Sequence, residues 1–325
     1  MRPRLFAGFT LALCASAATA ALVAQDSVID VGTLGFGSSY LLAINNRNEA
    51  VGYSEVMGLD SNRAMLWRDG QLIDLGVLPG LMLSSAEAIN DHGDIVGWSS
   101  EFQYQRFHAV LWRDGQTIDL TPPGFECRAV DINNRGDIVG DCGGAMLWRT
   151  GTGVPVPTYI GGLRPSAIND AGVIVGTRGS TPVRWTNGVV EALPLPAGAL
   201  GGVAASINAR GQIVGYVINP SFFDPVIWED GRVRPLAGAW GLVYGFARNI
   251  NDRGEVAVHA FTGPITEFGG QIWRDGIFHH LESSASAHGI NERGVAVGWV
   301  SLGFEQHGAV WPKALTRVPP QGPMR

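Results

Sequence analysis

Charge is scarce in this chain of 325 residues: only 16% are Asp, Glu, Lys or Arg, and nowhere do Lys or Arg gather into a stripe. A protein that neutralises a run of phosphates needs such a stripe, so nucleic acid is not expected as a partner. Cysteine is nearly absent, with 3 residues, and no Cys/His partner has zinc spacing; neither a metal nor a cofactor is expected. Also missing are a P-loop, the glycine fingerprint of dinucleotide-binding folds and a Gly-x-Ser-x-Gly elbow. What is abundant is glycine, with 45 residues, together with 18 prolines, a composition of many short turns and few helices.

The first residues form a separate segment. Arg2 and Arg4 precede an apolar run from Leu5 to Leu13, and the small residues Ala15 to Ala24 follow, with a cleavage site in Ala18-Thr19-Ala20. Residues 1–24 therefore read as a secretory signal peptide, the apolar run being too short for a membrane anchor. The mature chain is expected to be exported, extracellular or periplasmic, with no membrane span and as a monomer. Without Arg2 and Arg4 it holds 21 basic and 29 acidic residues, a net charge near −8.

One unit recurs seven times between residues 25 and 315, and such repetition outranks any local reading. Its first half ends in Ile-Asn, at Asn45, Asn90, Asn133, Asn169, Asn208, Asn251 and Asn291. Three residues later stands a glycine, replaced by Asn48 in the first copy. A short apolar strand follows, usually ending in Val-Gly, as at Val96-Gly97, with Val258 in place of the glycine in the sixth copy. The second half centres on tryptophan, at Trp67, Trp112, Trp148, Trp185, Trp228, Trp273 and Trp311. Asn-x-x-Gly joins two antiparallel strands, because the Asn side chain bonds the backbone ahead and Gly accepts unusual dihedrals. Asp-Gly, as at Asp69-Gly70 and Asp275-Gly276, joins a third strand to a fourth.

Four strands per repeat, seven repeats and a period of 36 to 45 residues predict an all-β, seven-bladed β-propeller. The last repeat stops after its third strand at Trp311, and the missing fourth appears at the other end as Val28-Ile29-Asp30-Val31-Gly32. A blade built of three strands plus one would close the ring and remove its open edges. The Pro-rich end, residues 316–325, reads as a disordered tail.

Together, seven repeats built on Ile-Asn-x-x-Gly, Val-Gly and Trp-x-x-Gly, each motif intact in six of them, resemble the bacterial extracellular HAF-repeat proteins. The eponymous triplet is degraded, reading His108-Ala109-Val110 in the second copy and Arg63-Ala64-Met65 in the first. The resemblance implies export and repeats, but no mechanism.

Two cysteines survive maturation. If Asn133 pairs with Gly136 across its turn, Cys127 and Cys142 stand directly opposite, within disulfide reach. A bridge is expected in an oxidising compartment, provided no bulge shifts the register.

Function should sit where the repeats differ. Both hairpin turns of each blade share one face and are short, so the long loops share the other, the usual arrangement of a binding surface on a rigid scaffold. Near the loop-side mouth of the central channel, Glu87, Arg128, Arg164, Arg248 and His288 form a candidate polar funnel for an anionic or hydroxylated ligand. Tyr104, Phe222, Phe223 and Phe261 add aromatic surface. The histidines crowd into the last two repeats, and His259, His288 and His307, with Glu87, are the candidates for acid–base chemistry; His279 and His280 fall in an outer strand. Three readings follow: a secreted binding module for a glycan or an extracellular protein, an enzyme cleaving polysaccharide in the funnel as a lyase or hydrolase, and a structural protein of the cell surface. With no catalytic motif, the first leads.

Overall fold

The computed structural model describes residues 28–56, 62–101, 105–149, 155–220, 222–236, 244–262 and 267–312. The expected leader and tail, Tyr104, and parts of the loop-face segments lie outside these residues. The described chain holds strands and turns with no helix, and none of it is a helix long and apolar enough to cross a membrane.

Seven four-stranded antiparallel sheets form the blades. Blade one carries strands Ser39–Ile44, Ala50–Glu55, Asn62–Arg68 and Gln71–Gly76. Blade two has Leu83–Ile89, Ile95–Ser100, His108–Arg113 and Gln116–Asp119; blade three has Arg128–Ile132, Ile138–Asp141, Ala145–Arg149 and Val156–Gly161. Blade four has Arg164–Ile168, Ile174–Arg178, Thr181–Thr186 and Val189–Ala192; blade five has Gly201–Ile207, Ile213–Ile218, Phe223–Glu229 and Arg232–Pro235. Blade six has Tyr244–Ile250, Val256–Thr262, Glu267–Arg274 and Ile277–Ser283. Blade seven is composite: Ala285–Ile290, Ala296–Leu302, Glu305–Trp311, and Ile29–Asp30 from the other end.

The closing junction repeats the chemistry of an ordinary one. Ile29 pairs with Val310 and Asp30 with Ala309. Ser39 Oγ then donates to the Gly32 carbonyl at 2.6 Å and accepts Gly308 N–H at 2.8 Å. Ser84 does the same between blades one and two, with the Gly76 carbonyl at 2.7 Å and Ala64 N–H at 2.9 Å. The ring is thus sealed by backbone pairing and by the same serine clasp that joins blades one and two.

Apolar side chains on both faces of each sheet pack against the neighbouring blades, as the consecutive apolar runs require. One core cluster, for example, joins Val139, Leu147 and Leu163 to Ile168, Ile174 and Trp185 across blades three and four. The repeat tryptophans serve these seams. Trp148 is fully buried and its Nε1 donates to the Leu120 carbonyl of the preceding blade at 2.9 Å; Trp228 does likewise to Pro194 at 2.7 Å. Truncating such a side chain costs about 3–5 kcal/mol.

Each inner strand carries one bulge, immediately before the residue two ahead of the asparagine. The bulge explains the Val-Gly signature. A Cβ on Gly52 would lie 1.8 Å from the Tyr40 carbonyl oxygen, and one on Gly140 would lie 2.3 Å from that of Arg128. Blade six carries Val258 at this position opposite Ala247; its Gly245 lies two pairs away, opposite Ala260, where a Cβ would meet the His259 oxygen at 2.2 Å.

The asparagine turns differ from the expected register by one residue. Asn133 N–H bonds the Asp137 carbonyl, beyond Gly136, whose φ of +80° places it in the left-handed region that glycine tolerates. Ile132 therefore faces Ile138, but the bulge at Val130 shifts the register back, so Arg128 faces Asp141. Two one-residue offsets cancel. Cys127 and Cys142 form the expected disulfide, with Cα atoms 4.2 Å apart.

Candidate functional site

The channel has two ends of different chemistry. At the turn end, each repeat asparagine reaches the next blade. Asn45 Nδ2 donates to the Asn90 carbonyl at 3.0 Å, Asn90 to Asn133 at 3.2 Å, Asn133 to Asn169 at 3.0 Å and Asn169 to Asn208 at 3.0 Å. Asn208 continues to Asn251 at 3.0 Å, Asn251 to Asn291 at 2.9 Å, and Asn291 back to Asn45 at 2.9 Å. Meanwhile each Oδ1 caps its own turn, as Asn291 Oδ1 does with Arg293 and Val295 N–H. Sequence reasoning gave these asparagines a turn role only, because a side chain that reaches across blades leaves no mark in a single repeat.

The next residue in the turns makes a second series of six links, open between Asp170 and Ala209. Asn46 N–H bonds Asp91 Oδ1, Asp91 bonds Asn134, Asn134 bonds Asp170, Ala209 bonds Asp252, Asp252 bonds Glu292, and Glu292 bonds Asn46. These residues line a cavity of about 200 Å³ at the turn-side mouth. Its carboxylates are engaged by neighbouring backbone N–H groups, and no cluster of three or more metal-ligating residues occurs among the described residues. Deeper in, Asp131 accepts Ile132 N–H at 2.9 Å and Ile168 N–H at 2.8 Å, and burial pushes its carboxyl up to about 7 against those two bonds.

At the loop end lie the residues singled out in the sequence. The bulge residues of the seven inner strands are Leu42, Glu87, Val130, Ser166, Ala205, Arg248 and His288, so three funnel candidates occupy one repeated structural position. The residues two earlier pair across to the second strand: Tyr40 with Tyr53, Ser85 with Trp98, Arg128 with Asp141, Arg164 with Thr177, Val203 with Tyr216, Phe246 with His259 and Ser286 with Trp299.

From blade five round to blade one these pairs join in an unbroken chain of ring contacts. Tyr216 lies 4.8 Å from Phe246, Phe246 6.2 Å from His259, His259 6.5 Å from Trp299, Trp299 6.3 Å from Tyr40, and Tyr40 4.9 Å from Tyr53. Phe223 and Phe261 back it, 5.1 Å from Phe246 and 5.0 Å from His259, while Phe222 stacks on Tyr244 at 3.8 Å. The sequence signal for this arc is the residue after Val-Gly, aromatic or histidine in five of the seven copies.

The polar groups fall into separate sets. Arg248 shares the aromatic arc, 5.2 Å from the Phe246 ring. Burial holds its guanidinium below the usual value and, with the Arg248 charge second, pushes His259 down to about 4 and His288 to about 3. His259 Nδ1 lies 2.8 Å from Ser286 Oγ. Both imidazoles are neutral at pH 7. Across the mouth, Glu87 accepts from Ser85 Oγ and Trp98 Nε1, each at 2.8 Å, and burial raises its pKa while these bonds and Arg128 oppose the rise. Arg128 sits 3.5 Å over the Phe107 ring, and Arg164 reaches Asp141 at 3.4 Å. His307 is not part of either set: it lies on the third strand of blade seven with Nδ1 3.1 Å from both Asp30 carboxylate oxygens. His279 and His280 stand on the outer strand of blade six.

No protein-family model and no curated protein matches the sequence. Among solved structures the fold is similar to the β-propeller domain of the Trilobed protease from Pyrococcus furiosus, which has an open velcro topology. The TM-score is 0.59 and the identity 12%, over 84% of this chain and 95% of that one. It is also similar to the acylaminoacyl peptidase of Pyrococcus horikoshii, with a TM-score of 0.53 and 12% identity over 83% of this chain and 52% of that one. At such identity the likeness is one of fold alone.

Proposed function

We propose that this is an exported β-propeller binding module that takes a glycan at the loop-side mouth of its channel. The observation that carries the reading is the chain of ring contacts from Tyr216 to Tyr53, which lines one arc of the mouth with π-faces beside the donors of Arg248 and Trp299. Aromatic faces cover the apolar C–H faces of a sugar ring, while a few convergent polar groups fix its hydroxyls. Export is supported by the leader-like first residues and by the Cys127–Cys142 bridge, which persists in oxidising compartments. The likeness to HAF-repeat proteins belongs to the same reading.

A thermal-shift screen of the chain from Gln25 onward against neutral and acidic oligosaccharides tests it, since a ligand that binds the native state raises the midpoint. The control is the triple variant Glu87→Ala, Arg248→Ala, His288→Ala. The same bulge position holds Ala205 and Ser166 in other blades, so the variant keeps the fold. A shift that vanishes in the variant supports the reading; no shift with any oligosaccharide overturns it and favours a protein partner on the loop face.

A further inference from the structure

Resting on the glycan reading, we infer that the sugar this mouth selects is anionic, carrying a carboxylate or sulfate ester that pairs with Arg248. Arg248 occupies the bulge of blade six and is open to the channel, yet none of the described carboxylates forms an ion pair with it. The other candidate arginines each have a carboxylate neighbour: Arg164 pairs with Asp141, and Arg128, which forms no ion pair of its own among the described residues, acts electrostatically on the Glu87 carboxyl. A guanidinium held among aromatic rings without a counter-ion is costly to desolvate further unless the incoming group carries the opposite charge.

The surroundings are arranged to leave that charge uncompensated. On the neighbouring strands its titratable neighbours are His259, His288 and Tyr216. The two histidines are neutral at pH 7 and able to donate or accept a hydrogen bond, so neither supplies a negative charge. The one carboxylate among the funnel candidates, Glu87, is in blade two and is already engaged by Ser85 and Trp98. A planar guanidinium matches carboxylate or sulfate oxygens in bidentate fashion, and the Phe246 ring, 5.2 Å from it, offers a face for the pyranose. Arg248 therefore brings a positive charge with no carboxylate neighbour to the aromatic wall, although the chain carries net negative charge.

Isothermal titration with three probes of similar length tests this: oligogalacturonate, a sulfated galactan oligomer and a neutral galactan oligomer. Each is measured against the native chain, Arg248→Leu and Arg248→Lys. Leucine occurs at the equivalent bulge, Leu42, so the fold tolerates it. The expected result is that at least one acidic probe binds about tenfold or more tighter than the neutral one, the scale of one charge-assisted contact. Arg248→Leu should then abolish that preference by weakening the acidic probe far more than the neutral one, and Arg248→Lys should restore part of it. Which acidic probe leads distinguishes carboxylate from sulfate. Equal binding of neutral and acidic probes, or a preference that survives Arg248→Leu, overturns the anionic inference and leaves the glycan reading standing. Binding by none of the three overturns both.

Discussion

Asn291 Nδ2 donates a 2.9 Å hydrogen bond to the carbonyl of Asn45, 246 residues away in sequence. It is the seventh and last link of a circle in which every blade holds the next by the same atom pair. Because the acceptor lies in the first blade and the donor in the last, the bond exists only when the ring is closed. Asn291 is 4% exposed, so water cannot replace what is lost.

Asn291→Ala should therefore destabilise the fold by about 1–3 kcal/mol, the cost of leaving buried backbone groups without partners. The neighbouring Glu292→Ala, at a half-exposed turn position, should cost less. Urea denaturation of the two variants checks the order.

Gly140→Ala should be poorly tolerated. Its Cβ would lie 2.3 Å from the Arg128 oxygen and 2.8 Å from the Trp148 ring, and overpacking of this kind costs about 1–3 kcal/mol. Equilibrium unfolding measures that loss; a neutral substitution would mean that the bulge is not what selects glycine.

Removal of the disulfide should lower stability by about 3 kcal/mol without unfolding the ring. The bridge spans 15 residues, a loop whose closure restricts the unfolded chain by about that much. Cys127→Ser/Cys142→Ser should therefore show a reduced melting temperature but a far-ultraviolet circular dichroism spectrum like that of the parent.

Acid should weaken the fold through His288. Its pKa is pushed down to about 3 by burial, with Arg248 and His259 adding to the effect. Between that value and the usual 6.5 the unfolded chain binds a proton that the native chain refuses, so this part of the stability is whole above pH 6.5 and is lost as pH falls toward 3. Within the window the slope for one such group is up to about 1.4 kcal/mol per pH unit. His288→Ala should flatten the decline in urea melts between pH 6.5 and pH 4; an unchanged decline would place the acid sensitivity elsewhere.

Much of the architecture was legible in the sequence because every blade solves the same backbone problem with the same residues. The Asn, Gly and Trp positions, the fourth strand supplied by residues near Ile29, and the Cys127–Cys142 pairing all follow from counting along the chain. The bulges did not, since an extra residue in one strand is defined only against its partner. The disulfide expectation held because the turn and the bulge at Val130 offset each other, which the sequence does not reveal. For the site, counting back from each asparagine placed Glu87, Arg248 and His288 on equivalent channel positions. It did not separate Arg128 and Arg164, which already have carboxylates nearby, from Arg248, nor foresee that His307 would turn to Asp30 instead of His259. Those outcomes depend on which blades are neighbours and on side-chain reach, neither of which is periodic.

The most direct measurement compares the two ends of the channel. Trp299→Thr alters the loop-side mouth and has a precedent in Thr177; Asp170→Ala alters the turn-side cavity and has one in Ala209. Calorimetric titration of both variants with the tightest-binding oligosaccharide should show binding lost or weakened at least about tenfold in Trp299→Thr, the scale of a lost stacking and hydrogen-bonding contact, and unchanged in Asp170→Ala. Loss of binding in Asp170→Ala with Trp299→Thr unaffected would place the ligand in the turn-side cavity and contradict a loop-side site.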